Sequence, residues 1–581
     1  MRTETEISRT TRLALAVLSL LVFQASVCAQ DKAHKIGELL SLCHKYEQFN
    51  GAALVADNGK VIYKKGVGLA NMEWNIPNEP DTKFRLGSIT KQFTATLILQ
   101  LVEQGKIKLD GKVSDYLPDY RKDTGDKITI HHLLSHTSGV PNYTAAPGFE
   151  ENVSRNPFKV DDFVKKYASG DLEFEPGTKF NYSNSGYFIL GAIIEKVTGK
   201  PYEQVLKEKI LDPVGMKNTG YDHYGTLLSK RAAGYVKNQR GYENAPYLDM
   251  TIPYAAGSLY STVEDLFLWD QALYGDKVLS AASKELMFKP NLSDYGYGFV
   301  ITKATLGPNK VVVPVIQHNG GINGFSTTIV RLVGDKGLVV LLDNTSQGRY
   351  LDGIALAITN ILYDQPYESP KQSIAEALLK TVVEKDGASA VRQYRELKTT
   401  RTSEYNFGEV ELNTLGYQLL QMKKVAEAIE IFKLNVEAYP QAANTYDSLG
   451  EAYMTHGDKE LAITNYKKSL ALNPKNTGAT RALAILIGEQ KEANVDPKLY
   501  DAYAGDYELA PNFIITVTVE DGKLMGQATG QPKAELYPSS ATEFFLKVVD
   551  AQMTFVKNEQ GQVTQLILHQ GGRDLPAKKI R

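Results

Sequence analysis

Cysteine is nearly absent from this chain: its 581 residues contain two, Cys28 and Cys43. A zinc site built from thiolate pairs is therefore excluded, and no multi-disulfide framework can form. Tryptophan is equally scarce, and neither sign of charge dominates, since 65 Lys and Arg face 67 Asp and Glu. A net charge of −2 supplies no broad field for holding DNA or RNA, so no nucleic-acid partner is expected. Long apolar runs are missing too. The stretch from Leu13 to Phe23 is about half of the roughly 20 residues a membrane-spanning helix needs. Arg9 and Arg12 precede it and Val27-Cys28-Ala29 follows, the layout of a secretory signal peptide cut near Ala29. The expected product is exported, periplasmic or secreted, with Cys43 as its only thiol. Cys43 sits among Leu39, Leu40 and Leu42 and reads as a small core hydrophobe.

What is present fits a folded chain of several domains, with 43% hydrophobic and 23% charged residues. From 30 to 368 strands and helices mix. Ala52–Ala56 and Val61–Lys64 flank Asn58-Gly59, a hairpin signal, and a second hairpin joins Phe325–Val333 to Leu338–Leu342. Helical stretches such as Lys91–Gln104 and Tyr187–Thr198 lie between them, so one α/β unit is expected, its sheet built from distant parts of the chain. Residues 369–492 read as helical. A shift of 34 residues maps Leu415-Gly416 onto Leu449-Gly450, Ala428 onto Ala462, Phe432 onto Tyr466 and Pro440 onto Pro474. Those are the small, aromatic and proline positions of a tetratricopeptide repeat, over about 409–476. Residues 493–581 turn β-rich, with strands expected at Phe513–Val519, Glu543–Val549, Met553–Val556 and Val563–Leu568, as in a barrel or meander.

Three segments carry chemistry. Ser88-Ile89-Thr90-Lys91 is the only S-x-x-K in the chain, and three residues of helix put both side chains on one face. A lysine kept neutral by burial can take the seryl proton. Tyr182-Ser183-Asn184 lies on a loop leading into a helix, where a phenol can relay protons and an amide can bind substrate. A second Y-x-N, Tyr242-Glu243-Asn244, lacks that setting. His318-Asn319-Gly320-Gly321 follows the β-rich run Val311–Ile316; its glycines would let a substrate backbone approach, with His318 as a donor. His131, His132 and His136 have no carboxylate at metalloprotease spacing and are expected to pack on a helix, so no metal is expected.

These segments, in this order, resemble the serine β-lactamase and penicillin-binding-protein-like hydrolases, specifically the class C-like branch with its esterases and D-amino-acid peptidases. Ile128–Gly139, Pro213-Val214-Gly215-Met216 and Ala256–Thr262 extend the resemblance over roughly 35–365. It implies an α/β domain with an antiparallel sheet flanked by helices. It also implies Ser88 as nucleophile, Lys91 as base, Tyr182 as a second proton-transfer group and Asn184 as a substrate contact. His318, Gly320 and Gly321 would line the substrate, and the N–H groups of Ser88 and Gly321 would form an oxyanion hole. No cofactor is implied. The C-terminal segment, through Tyr503-Ala504-Gly505-Asp506-Tyr507, resembles a lipocalin-like domain appended to such hydrolases. The expected activity is hydrolysis of small amides or esters, D-amino-acid peptides or peptidoglycan fragments. The alternatives are a sensor or scaffold with little turnover, or a β-lactamase. The repeats would offer a surface to a protein partner, and the chain would be able to form homo-oligomers.

Overall fold

The computed structural model describes residues 30–146, 148–238, 241–487, 493, 495–510, 513–546, 551–558, 560–570 and 573–580. The expected signal peptide lies outside them, as does the end of the strand expected at 543–549. The chain divides into two units, one holding 30–145 and 149–370 and the other 371–581 with the short segment 146–148.

In the first unit a six-stranded sheet runs in the order 300–306, 311–322, 325–332, 337–343, 51–57, 60–67, with every neighbour antiparallel. The two hairpins read from the sequence are its pairs 51–57/60–67 and 325–332/337–343, and strand 51–57 joins them by pairing with 337–343. The central strands read as continuous apolar runs because both faces are covered. Ala52, Leu54, Leu338, Val340 and Leu342 face the larger core, which holds the helices Thr90–Glu103 and Asn184–Thr198. Ala53, Val55, Val339 and Leu341 face the other side, against Ile36, Leu40 and Cys43 of the first helix and Ile354 and Ile358 of Gly348–Leu362. Cys43 is fully buried there, and burial pushes its thiol up to about 12.

The second unit holds the repeat and barrel elements. Helices Glu409–Gln421, Val425–Ala438, Ala443–His456 and Lys459–Leu472 form two antiparallel pairs. A methyl group on Gly416 would stand 2.4 Å from the Phe432 ring, and one on Gly450 would stand 3.1 Å from Tyr466. The small and aromatic repeat positions therefore meet across each pair. The last eight strands close into a barrel. Its core contains Tyr503, Tyr507, Phe544, Phe555 and Leu566, in keeping with an eight-stranded interior just wide enough for side chains.

Candidate active site

The nucleophile turn is built by close backbone approach. Phe84–Arg85 pairs with Leu259–Ser261, and the chain then turns at Gly87 (φ +54°) into the helix that carries Lys91. A side chain at Gly87 would fall 2.9 Å from both the amide nitrogen and the carbonyl oxygen of Gly321. Strand 311–322 outruns its outer neighbour, whose pairing ends at Gln317, so from His318 onward that edge is open. The turn bearing Ser88 lies along this open edge.

Lys91 is fully buried, and its Nζ has three partners: Ser88 Oγ at 3.0 Å, Asn184 Oδ1 at 2.8 Å and the Ala256 carbonyl at 2.9 Å. Burial holds its ammonium well below the usual lysine range. A neutral amine has two hydrogens and one lone pair. The two carbonyl-type oxygens can only accept, so they take both hydrogens and leave the lone pair for the Ser88 hydroxyl. Ser88 itself is half-buried and opens onto a cavity of about 220 Å³.

Tyr182 stands beside this pair, its ring centroid 4.9 Å from Lys91 Nζ. Its hydroxyl is buried without a hydrogen-bond partner. Burial raises the phenol well above its usual range; the facing Ser88 hydroxyl, short of hydrogen-bond geometry, offsets part of that rise. Asn184, expected to meet substrate, also anchors the site, since its Oδ1 holds Lys91 and its Nδ2 donates to Thr144 Oγ1 at 3.2 Å. The second Y-x-N lies elsewhere, on the hairpin Tyr235–Asn238/Gly241–Asn244, where Asn244 bonds Glu73.

Three expectations change. His318 offers no free donor: Nδ1 lies 2.6 Å from the Asn319 carbonyl, which can only accept, so Nε2 accepts from the Tyr295 hydroxyl at 2.9 Å. Burial, reinforced by the nearby Lys91, lowers its pKa to about 4, with partial compensation from the Asn319 bond. Gly320 makes room for the protein rather than a ligand, because a Cβ there would fall 2.0 Å from the Leu86 carbonyl. At Gly321 a Cβ would meet nothing within 4 Å, and this glycine does line the cavity. Finally, the helix expected to hold three histidines ends at Leu134, beyond which His136 (φ +56°) turns inward against Tyr182. His131 and His132 stay structural, bonded to Tyr297 and the Thr129 cap.

Apolar side chains, among them Tyr143, Phe149, Leu248 and Ile252, wall the cavity, with Glu150 as its charged residue. A groove of about 860 Å³ shares Glu150, Gly321, Ile322 and Asn323 with it and adds Arg155. Sequence spacing did not single out Glu150 or Tyr295, whose places depend on contacts between distant segments.

A seryl hydroxyl held by a buried, proton-accepting amine beside an open strand edge is the equipment of acyl transfer. The β-lactamase family model matches residues 41–362, more than half of the chain, and the chain belongs to that family; it is a serine hydrolase. A tetratricopeptide repeat model matches 443–476, and a domain of unknown function (DUF3471) matches 489–579. Penicillin-binding protein 4* of Bacillus subtilis is 32% identical over 365 residues, 59% of this chain and 79% of that protein. Teichoic acid D-alanine hydrolase of Staphylococcus aureus is 30% identical over 301 residues, 51% of this chain and 70% of that one. The solved octameric penicillin-binding protein homologue from Pyrococcus abyssi shares the fold at 20% identity and a TM-score of 0.50, over 94% of this chain and 99% of its own.

Proposed function

We propose that this is an exported hydrolase that acylates Ser88 with small D-aminoacyl esters or amides, including cell-wall fragments. The observation that carries the reading is the full burial of Lys91 with its Nζ 3.0 Å from Ser88 Oγ, where the neutral amine has its lone pair left for the seryl proton. Ser88 Oγ attacks the carbonyl carbon as its proton passes to Lys91. The oxyanion faces the N–H groups of Ser88 and Gly321. Tyr182, held neutral by burial, gives its proton to the leaving alcohol or amine as the old bond breaks, and Lys91 returns a proton to it. Water then repeats the sequence on the acyl-enzyme.

The cavity supports this choice of substrate class. Its apolar wall suits a small side chain, and the Glu150 carboxylate attracts a free α-ammonium while repelling a carboxylate. The hydrolase that acts on D-alanine of teichoic acid, named above, has a substrate of that type in its name. His318, neutral and with both ring nitrogens engaged, offers no cation to a penicillin carboxylate. The repeat helices supply a surface for a protein partner, the role that repeat architecture supports.

The test is intact-mass spectrometry with a fluorophosphonate, followed by a steady-state screen of D- and L-aminoacyl esters and amides and of penicillins. One adduct on Ser88 and turnover favouring D-aminoacyl substrates are expected. Stoichiometric acylation without turnover would favour a sensor, and rapid penicillin turnover with poor ester turnover would refute the substrate class.

A further inference from the structure

Tyr182 is held on both sides by one residue. The Asn181 N–H donates to the His136 carbonyl at 2.9 Å, and the Ser183 N–H donates to His136 Nδ1 at 3.1 Å. The His136 ring also packs on the Tyr182 ring, with centroids 4.2 Å apart and planes tilted 35°. Tyr295 at 4.7 Å, Tyr187 at 5.1 Å and Phe180 at 6.0 Å close the remaining sides. No other ring contacts both Tyr182 and the backbone amide that follows it in this way among the described bonds and ring pairs.

A packing role alone does not account for a histidine here. Its Nε2 is buried without a hydrogen-bond partner, a cost a phenylalanine would avoid. Accepting the Ser183 N–H requires an unprotonated Nδ1, so the proton of the neutral ring sits on Nε2. His136 occupies the left-handed region, which Asn and His tolerate better than most residues.

We infer that His136 is a positioning residue for Tyr182: its Nδ1 and carbonyl clamp the backbone on either side of the tyrosine and so hold the phenol beside Ser88 and Lys91. This rests on the proton-transfer role proposed for Tyr182. Ser183 N–H is the amide immediately before Asn184, so the same bond steadies the residue that tethers Lys91.

The experiment uses the full-length protein and four variants: His136→Asn, His136→Phe, Tyr182→Phe and the His136→Phe/Tyr182→Phe double. Each is checked for folding by circular dichroism and assayed for kcat and KM on a small D-aminoacyl ester. Asn places its Oδ1 where Nδ1 stood, so His136→Asn should stay within about threefold of wild type. His136→Phe keeps a ring but loses the acceptor, and should lower kcat by roughly tenfold or more with KM little changed. In the Tyr182→Phe background the same change should cost less than about threefold, since coupled residues are not additive. If His136→Phe does not fold, His136→Gln replaces it in both backgrounds, because the longer amide does not reproduce the Nδ1 position.

Full activity in the variant lacking the acceptor, or losses that multiply with that of Tyr182→Phe, would overturn the clamp. A near-wild-type rate in Tyr182→Phe itself would instead overturn the role of Tyr182, and the clamp with it.

Discussion

The two units bury different chemistry. Around Ser88 the first unit buries Lys91 at 0% exposure, His136 at 1% and His318 at 5%, each held towards its neutral form by desolvation. Among the described residues of the second unit, the buried polar side chains are all neutral: Asn435, Thr445, Ser448 and Ser469. Its repeat and barrel cores are otherwise aliphatic and aromatic. An ionisable group taken out of water lowers stability unless something compensates for it. The contrast teaches where this chain retains costly groups, and at Lys91 and His136 the cost coincides with contacts to the candidate nucleophile and proton carrier.

The comparison is tested most severely at Ser88. Ser88→Ala should remove fluorophosphonate labelling and lower kcat by on the order of 10⁴-fold or more, with the melting temperature nearly unchanged. A label that persists on another serine would move the nucleophile. Lys91→Ala and Tyr182→Phe should each lose roughly 10²–10⁴-fold in kcat, the usual range for general acid–base help. A near-wild-type rate in Tyr182→Phe would remove the phenol from the proton path.

A smaller effect should appear in acid. Folded His318 has a pKa of about 4 against an ordinary 6.5, so between those values the unfolded chain binds more protons than the native one. Stability should therefore rise with pH across that window and fall on acidification, by about 1 kcal/mol per pH unit for this one group. Chemical denaturation of wild type and His318→Asn at pH 7.5 and 5 should show the variant losing less. Equal acid sensitivity would mean that His318 is not held neutral.

In the second unit, Gly416→Val should cost about 1–3 kcal/mol by crowding Phe432, while small-ester hydrolysis is kept. The smallest expected change is that of truncation. A chain of 30–370 should hydrolyse a small activated ester within a few-fold of full length, because the groups placed around Ser88 all lie in the first unit. Loss of that activity in a folded truncation would erase the division drawn above.

Local spacing determined much by itself. Asn58-Gly59 set one hairpin, S-x-x-K put Ser88 and Lys91 one helical turn apart, and the 34-residue period placed Gly416 opposite Phe432. Each of these depends on turn geometry, helical pitch or repeat length, all of which operate within a short stretch of chain. Tertiary structure alone decided the rest. Lys91 meets Asn184 and the Ala256 carbonyl, 93 and 165 residues away, and the His136 ring meets the Ser183 amide at a separation of 47. Gly320 and Gly321 are adjacent and chemically identical, yet one is filled by the Leu86 carbonyl and the other faces the cavity. His318 looked like a donor until Asn319 and Tyr295 occupied both ring nitrogens. No spacing rule carries such facts, because a hydrogen bond between distant segments depends on where the whole fold brings them.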